Sequence, residues 1–189
     1  VQTCALPISV RVVALTFAWG ALTGIVAAIL IDRLLPVGLS GSLAAGALGA
    51  PSEPPFPVGR AIVAPLLAAA AAMAGPLVLL RYRRFNDVLD GATFGVTAAV
   101  AWTGAQAIVG SLALFASGLR PGGADAVPWV ARILALGVAT PIIAAGALGG
   151  LAGVLWLRHR GPMADRDRLG PLGRPIVAAA LAGLLILAP

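Results

Sequence analysis

The sequence predicts an all-α fold, a polytopic transmembrane helix bundle with about five spans. Of the 189 residues, 60% are hydrophobic and only 11% are charged, whereas a soluble globular domain carries roughly 25% charged residues. The mean hydropathy is +1.00. Long apolar stretches recur along the chain, and several of them end at arginines. The apolar surface is therefore expected to face lipid.

The predicted spans follow from the lengths of the apolar stretches, because a transmembrane helix needs about 20 largely apolar residues. Four full-length candidates cover residues 12–31, 61–80, 91–119 and 128–157, and residues 175–189 form a fifth, incomplete candidate. Residues 34–59 are rich in Gly, Ser and Pro, which excludes a continuous helix. This linker is expected to hold a partly inserted or re-entrant segment.

The first residues of the chain look foreign to the protein. Residues 1–8 resemble the translation of a short-read sequencing adapter, so we interpret them as a scar and exclude them from the fold. Residues 9–189 are then expected to form a single membrane domain, as a fragment whose native termini lie beyond this sequence.

The basic side chains indicate an orientation. When the spans alternate across the membrane, most arginines fall on one side, which predicts that residues 81–84 and 158–174 are cytoplasmic loops of a multi-pass protein of the inner or plasma membrane. The predicted cytoplasmic side carries Arg11, Arg81, Arg83, Arg84, Arg158, Arg160, Arg166, Arg168 and Arg174. The opposite side carries Arg33, Arg60, Arg120 and Arg132. Charge scattered between apolar spans argues against a nucleic-acid surface and for membrane lipid as a partner.

Small residues and tryptophans predict how the helices pack. Glycine pairs at four-residue spacing allow helix backbones to approach closely, although a chain with 24 glycines also produces such pairs by chance. The pairs are Gly20/Gly24, Gly91/Gly95 and Gly149/Gly153. Trp129 and Trp156 bracket the fourth span, which suits either an interfacial aromatic belt or two core tryptophans.

Ionisable groups are nearly absent from the predicted spans. Arg132 is expected to extend towards the membrane interface. Asp90 precedes Gly91, where a carboxylate either caps the next helix or takes part in a site. Gln106 needs hydrogen-bond partners, either Thr140 or a backbone carbonyl within the bundle, or a substrate. A single His and a single Cys do not form a metal site, so no cofactor is expected.

Three stretches resemble a known family. They are residues 17–21 (FAWGA), residues 63–67 (VAPLL) and residues 84–95 (RFNDVLDGATFG), with Trp102 standing where the family has a Phe. Their order and spacing resemble the PrsW family of intramembrane proteases, whose founding type cuts an anti-sigma factor. The resemblance covers roughly residues 10–157 and implies a helical membrane fold.

The sequence lacks the titratable residues that the resemblance would place at the catalytic positions of the family. The resemblance places the paired glutamates of the family at Ala68 and Ala69, its lysine at Ala72 and the glutamate of the next helix at Gln106. Its membrane histidine would fall near Thr140, where this chain has no His. Peptide hydrolysis requires a general base, a nucleophile or a metal-bound water. The expected function is therefore non-catalytic binding of a single-pass membrane protein, such as an anti-sigma factor.

This prediction assigns roles to particular residues. Gln106, Trp102, Thr103 and Thr140 are expected to contact the partner, while Asp90, Gly91, Gly95 and Arg132 are expected to be structural. One alternative is a transporter or channel subunit built on the Gly-rich helices and the interruption at Pro141. Another is an active protease whose catalytic groups come from a segment outside this sequence or from a partner chain.

Overall fold

The computed structural model describes residues 10–34, 62–85, 87–116, 130–131, 133–160 and 170–187. Within these ranges the chain is helical and has no β-strand, which confirms the predicted all-α fold. The helices are α1 (Val10–Leu34), α2 (Ala64–Leu79), α3 (Val88–Ala116), α4 (Thr140–Arg160) and α5 (Pro175–Leu187). A π-helical segment, Ala135–Ala139, leads directly into α4, and a 3₁₀ turn, Gly170–Gly173, precedes α5.

Three helical stretches within the described ranges are long and apolar enough to cross a membrane: Val10–Ile31, Val88–Leu112 and Ala135–Arg160. Helix α2, predicted as a full-length span, has 16 residues, and α5 has 13. A π-helical turn at Ile62 and Val63 precedes α2, and Pro65 stands in its first turn, a position that favours the start of an α-helix. Four predicted features lie outside the described residues. They are the scar, the linker over residues 34–59 (except for Leu34, which ends α1), Trp129, and Arg132.

The start of α3 lies three residues before the predicted start of the third span. The Asp87 carboxylate accepts a hydrogen bond from the backbone N–H of Leu89 at 3.1 Å, and the Asp87 N–H donates to the Asp90 carboxylate at 3.4 Å. This reciprocal pair satisfies N–H groups that the first helical turn leaves free. Asp87 therefore sets the helix start, and Asp90 lies in the first turn of the helix.

A small aromatic cluster shows which helix ends lie together. Phe85, Phe94 and Trp156 are buried against each other, and Val12 and Val13 of α1 pack on them with Leu79 and Leu80. The cluster therefore joins the first turns of α1, the end of α2, the beginning of α3 and the end of α4. The first four helices alternate in direction as they cross the bundle.

Helix α3 is the central helix and meets its two main neighbours through glycines. A Cβ on Gly20 would collide with the carbonyl oxygen of Ala98, and one on Gly24 would collide with that of Trp102, so α1 and α3 run parallel. On the other side of α3, a Cβ on Gly95 would lie 2.5 Å from the carbonyl oxygen of Leu148. Backbones approach this closely only where side chains are absent.

Trp156 is a core residue and not part of an interfacial belt. Its side chain is 0% exposed, and a Cβ on Gly91 would lie 2.5 Å from the indole ring. The indole Nε1–H donates to the Phe85 carbonyl at 3.2 Å, and the ring centroid lies 6.1 Å from that of Phe94. Gly91 therefore provides the space that this tryptophan occupies.

We predict that Gly95→Val destabilises the bundle by about 1–3 kcal/mol, because the added side chain overpacks the contact with α4. Gly110→Val is the matched control, since Gly110 also lies in α3 and no atom of the described residues outside the backbone of α3 itself lies within 4 Å of where its Cβ would be. Unfolding of both variants in mixed micelles measures the difference. Equal destabilisation by the two substitutions would contradict the close-contact assignment.

Candidate functional site

Three alanines that the sequence resemblance places at motif positions lie in the interior of the bundle. Ala68, Ala69 and Ala72 of α2 are buried, and Ala72 is 0% exposed. They belong to one apolar cluster with Trp102 and Ala99 of α3 and with residues of α4. Their methyl groups can pack against neighbours but cannot hold a proton or a cation. We call this cluster the alanine layer.

Trp102 introduces a polar group into the alanine layer. Its side chain is 3% exposed, and its indole Nε1–H has no hydrogen-bond partner within the described part of the chain. Two other tryptophans behave differently: Trp19 donates to the Ala71 carbonyl at 3.0 Å, and Trp156 donates to the Phe85 carbonyl. An unpaired buried donor costs about 1–3 kcal/mol.

Gln106 lies one helical turn beyond Trp102 on α3, so the two side chains share a face of the helix. Gln106 is half-buried and forms no hydrogen bond with any described residue. The expected bond with Thr140 does not form, because the Thr140 hydroxyl donates to the Ala135 carbonyl at 2.9 Å. That bond spans five residues and stabilises the junction between the π-helical segment and α4.

The buried Thr103 hydroxyl donates to the Ala99 carbonyl in the preceding turn at 2.8 Å. Both predicted threonines therefore satisfy their hydroxyl groups within their own helical segments. Trp102 and Gln106 are the members of the predicted binding set whose polar groups remain unpaired in the described part of the chain.

Groups able to bind metal do not converge in the described ranges, where no three His, Cys, Asp or Glu side chains come together. His159 lies at the end of α4, where its ring Nδ1 is 2.9 Å from the Leu155 carbonyl oxygen. Asp87 and Asp90 are engaged in capping α3. The chemistry that these side chains offer is hydrogen bonding and packing.

An open groove of about 420 Å³ lies between α3 and α4. Val88, Ala92 and Val96 form its α3 wall, and Gly146 and Gly150 contribute to its α4 wall. All of its lining residues are apolar or glycine. We call this surface the glycine groove.

The α4 helix carries two overlapping glycine pairs with different surroundings. A Cβ on Gly149 would lie 2.6 Å from Val96 Cγ2, and one on Gly153 would lie 3.7 Å from Val88 Cγ1. For Gly146 and Gly150, no atom of the described residues outside the backbone of α4 itself lies within 4 Å of the corresponding position. The predicted pair, Gly149 and Gly153, faces α3. The open pair has the same four-residue spacing and was not predicted.

Comparisons with models of protein families, with curated proteins and with solved structures find no match to this chain. The fold by itself defines a class of protein. In its described part, the chain is an all-α bundle with three helices that are long and apolar enough to span a membrane. The resemblance to the PrsW family rests on the three sequence motifs.

We predict that Trp102→Phe is at least about 1 kcal/mol less destabilising than Trp156→Phe. Both substitutions shorten a buried tryptophan, but only the second removes a paired N–H and leaves the Phe85 carbonyl without its donor. Thermal unfolding in neutral detergent measures both variants. If Trp102→Phe proves as damaging as Trp156→Phe, the Trp102 N–H has a partner of its own.

Proposed function

We propose that this chain is a non-catalytic membrane protein that binds a transmembrane segment of a single-pass partner. The observation that carries the proposal is the open Gly146/Gly150 pair in the glycine groove. On this proposal, the protein is a PrsW-like binding protein and its partner has the character of an anti-sigma factor.

The lining of the glycine groove fits a helix better than a polar ligand. Association of helices in lipid depends on close packing and on small residues, because lipid tails are as apolar as the helices themselves. At Gly146 and Gly150 the α4 backbone is accessible from outside the bundle, while Val88 and Val96 supply a ridge alongside it. An apolar helix with a small-residue face complements such a surface.

The alanine layer supports binding without cleavage. A general base or a nucleophile would have to stand near a scissile peptide bond, whereas Ala68, Ala69 and Ala72 present methyl groups at the positions that correspond to the family's acidic and basic residues. Trp102 and Gln106 do not line the glycine groove, and neither side chain titrates near neutral pH.

The positive-inside rule supports an orientation in the inner or plasma membrane. Arg81, Arg83 and Arg84 follow the end of α2, and Arg158 and Arg160 lie at the end of α4, so they share the end of the bundle that holds the aromatic cluster. On this proposal, that end is cytoplasmic.

The alternative function is a transporter or channel subunit, for which the π-helical segment could act as a break in a helix. A broken helix exposes backbone carbonyls to a solute, usually inside a protein-lined cavity. Residues 135–139 are instead exposed on the outside of the bundle, and the Thr140 hydroxyl occupies the carbonyl of Ala135. The groove of open glycines therefore gives the binding function the stronger support.

We predict that a photo-crosslinking residue at Ala145, which lines the glycine groove, captures a transmembrane segment of another protein in native membranes. Gly146→Leu with Gly150→Leu should abolish the product, because two side chains would fill the open face. Gly110→Leu is the matched control and should leave capture intact, since Gly110 is an exposed glycine outside the groove. Mass spectrometry of the product identifies the captured segment.

Two results would contradict this prediction. Capture of a second copy of the same chain would make the groove a homodimer interface. Capture that persists in the double variant would place the binding surface elsewhere.

Cleavage of a tagged single-pass substrate in cells tests the non-catalytic part of the proposal. We expect cells that produce this chain to cut no more substrate than empty-vector cells, and we expect Gln106→Ala to change nothing. Cutting above the vector background would overturn the assignment and favour an active protease whose catalytic groups come from outside this sequence.

A further inference from the structure

Arginines gather at the end of the bundle that holds the aromatic cluster. We call this the arginine end, and its described arginines are Arg11, Arg81, Arg83, Arg84, Arg158 and Arg160. None of them forms an ion pair with a residue in the described ranges. The nearby carboxylates of Asp87 and Asp90 accept backbone N–H groups at the start of α3. The positive charge at this end is therefore largely uncompensated by the described side chains.

Arg160 is anchored where the helices converge. Its terminal NH2 group donates to the carbonyl of Leu80 at 2.9 Å, which satisfies a C-terminal carbonyl of α2 and places a cation at the negative end of that helix. Its Nε–H is buried and has no hydrogen-bond partner in the part of the chain that the structure describes. The guanidinium is thus held by one hydrogen bond, to the residue that precedes the exposed Arg81, and its remaining N–H groups have no partner among the described residues.

The exposed residues that follow Leu80, the hydrogen-bond partner of Arg160, are of types common at the membrane–water interface. Arg81, Arg83 and Arg84 are exposed directly after α2, and Tyr82 between them is 57% exposed. Tyrosine and arginine at a helix end are typical of the membrane–water interface, where the ring lies at headgroup level and the cation reaches phosphates. A guanidinium binds phosphate oxygens through paired N–H donors.

We propose that the arginine end binds the phosphate of an anionic phospholipid headgroup, with Arg160 as the fixed contact and Arg81, Arg83 and Arg84 around it. The terminal N–H groups of Arg160 that no described acceptor engages are the donors for the phosphate, while the bond to the Leu80 carbonyl holds the guanidinium in place. This inference rests on the membrane-spanning placement of the helices and not on the partner proposed for the glycine groove. The two sites share no residue, so either can fail in experiment while the other holds.

The test uses the purified chain in neutral detergent micelles, titrated with phosphatidylglycerol or with phosphatidylcholine of the same acyl chains and followed by native mass spectrometry. We expect retention of phosphatidylglycerol over phosphatidylcholine. The single substitutions Arg81→Gln, Arg83→Gln and Arg84→Gln should each weaken phosphatidylglycerol binding about fivefold. Arg160→Lys keeps the charge but removes the paired donors of the guanidinium, and it should weaken binding while the unfolding temperature stays within the range of the other variants.

Arg33→Gln is the matched control, because Arg33 is an exposed arginine at the opposite end of α1. It should leave phosphatidylglycerol binding unchanged. Equal retention of the two lipids would overturn the proposal and favour an acidic peptide as the ligand. If Arg33→Gln weakens phosphatidylglycerol binding as much as Arg84→Gln does, the net charge of the protein explains the effect and the proposed site is wrong. Complete displacement of the lipid by inorganic phosphate would assign the site to free phosphate.

Discussion

The close approach of helix backbones on both sides of α3 is the contact on which the rest of the structure depends. Lipid offers no hydrophobic gain for bringing two apolar helices together, so contact depends on the dispersion and shape fit of surfaces without bulky side chains. Gly20 and Gly24 of α1 meet α3 on one side, and Gly95 meets α4 on the other. These contacts fix the positions of Trp102 and Trp156, and therefore of the alanine layer and the aromatic cluster.

The glycines of α4 have two different surroundings. Gly149 and Gly153 face Val96 and Val88 and help to hold the bundle together. Gly146 and Gly150 face outwards, where they leave a strip of backbone accessible along a helix that is otherwise covered by side chains. A membrane protein can therefore present a surface suited to helix packing without any polar side chain, provided that its own helices leave one row of small residues uncovered.

The sequence predicted the class of the fold well, because hydropathy reports directly on the medium in which a helix is stable. It predicted individual positions less well where tertiary contacts decide. Asp87 caps α3 through a bond that spacing alone could not assign, and Trp156 proved to be a core residue because Gly91 leaves room for its ring. Gly146/Gly150 and Gly149/Gly153 have the same spacing. Only the packing of α3 shows which pair is open.

The alanine layer is an apolar part of the bundle interior in which charged side chains would be costly. Ala68, Ala69 and Ala72 bring α2 close to Trp102, and charged side chains of glutamate or lysine size in their place would require water or counter-charges in the bundle interior. Methyl groups allow a dry interior, in which an unpaired indole N–H is costly. Trp102 keeps such a group, and Gln106 keeps an unpaired amide one turn away. Two hydrogen-bonding groups without partners among the described residues therefore lie on one face of α3, the first buried in the alanine layer and the second half-exposed at its edge.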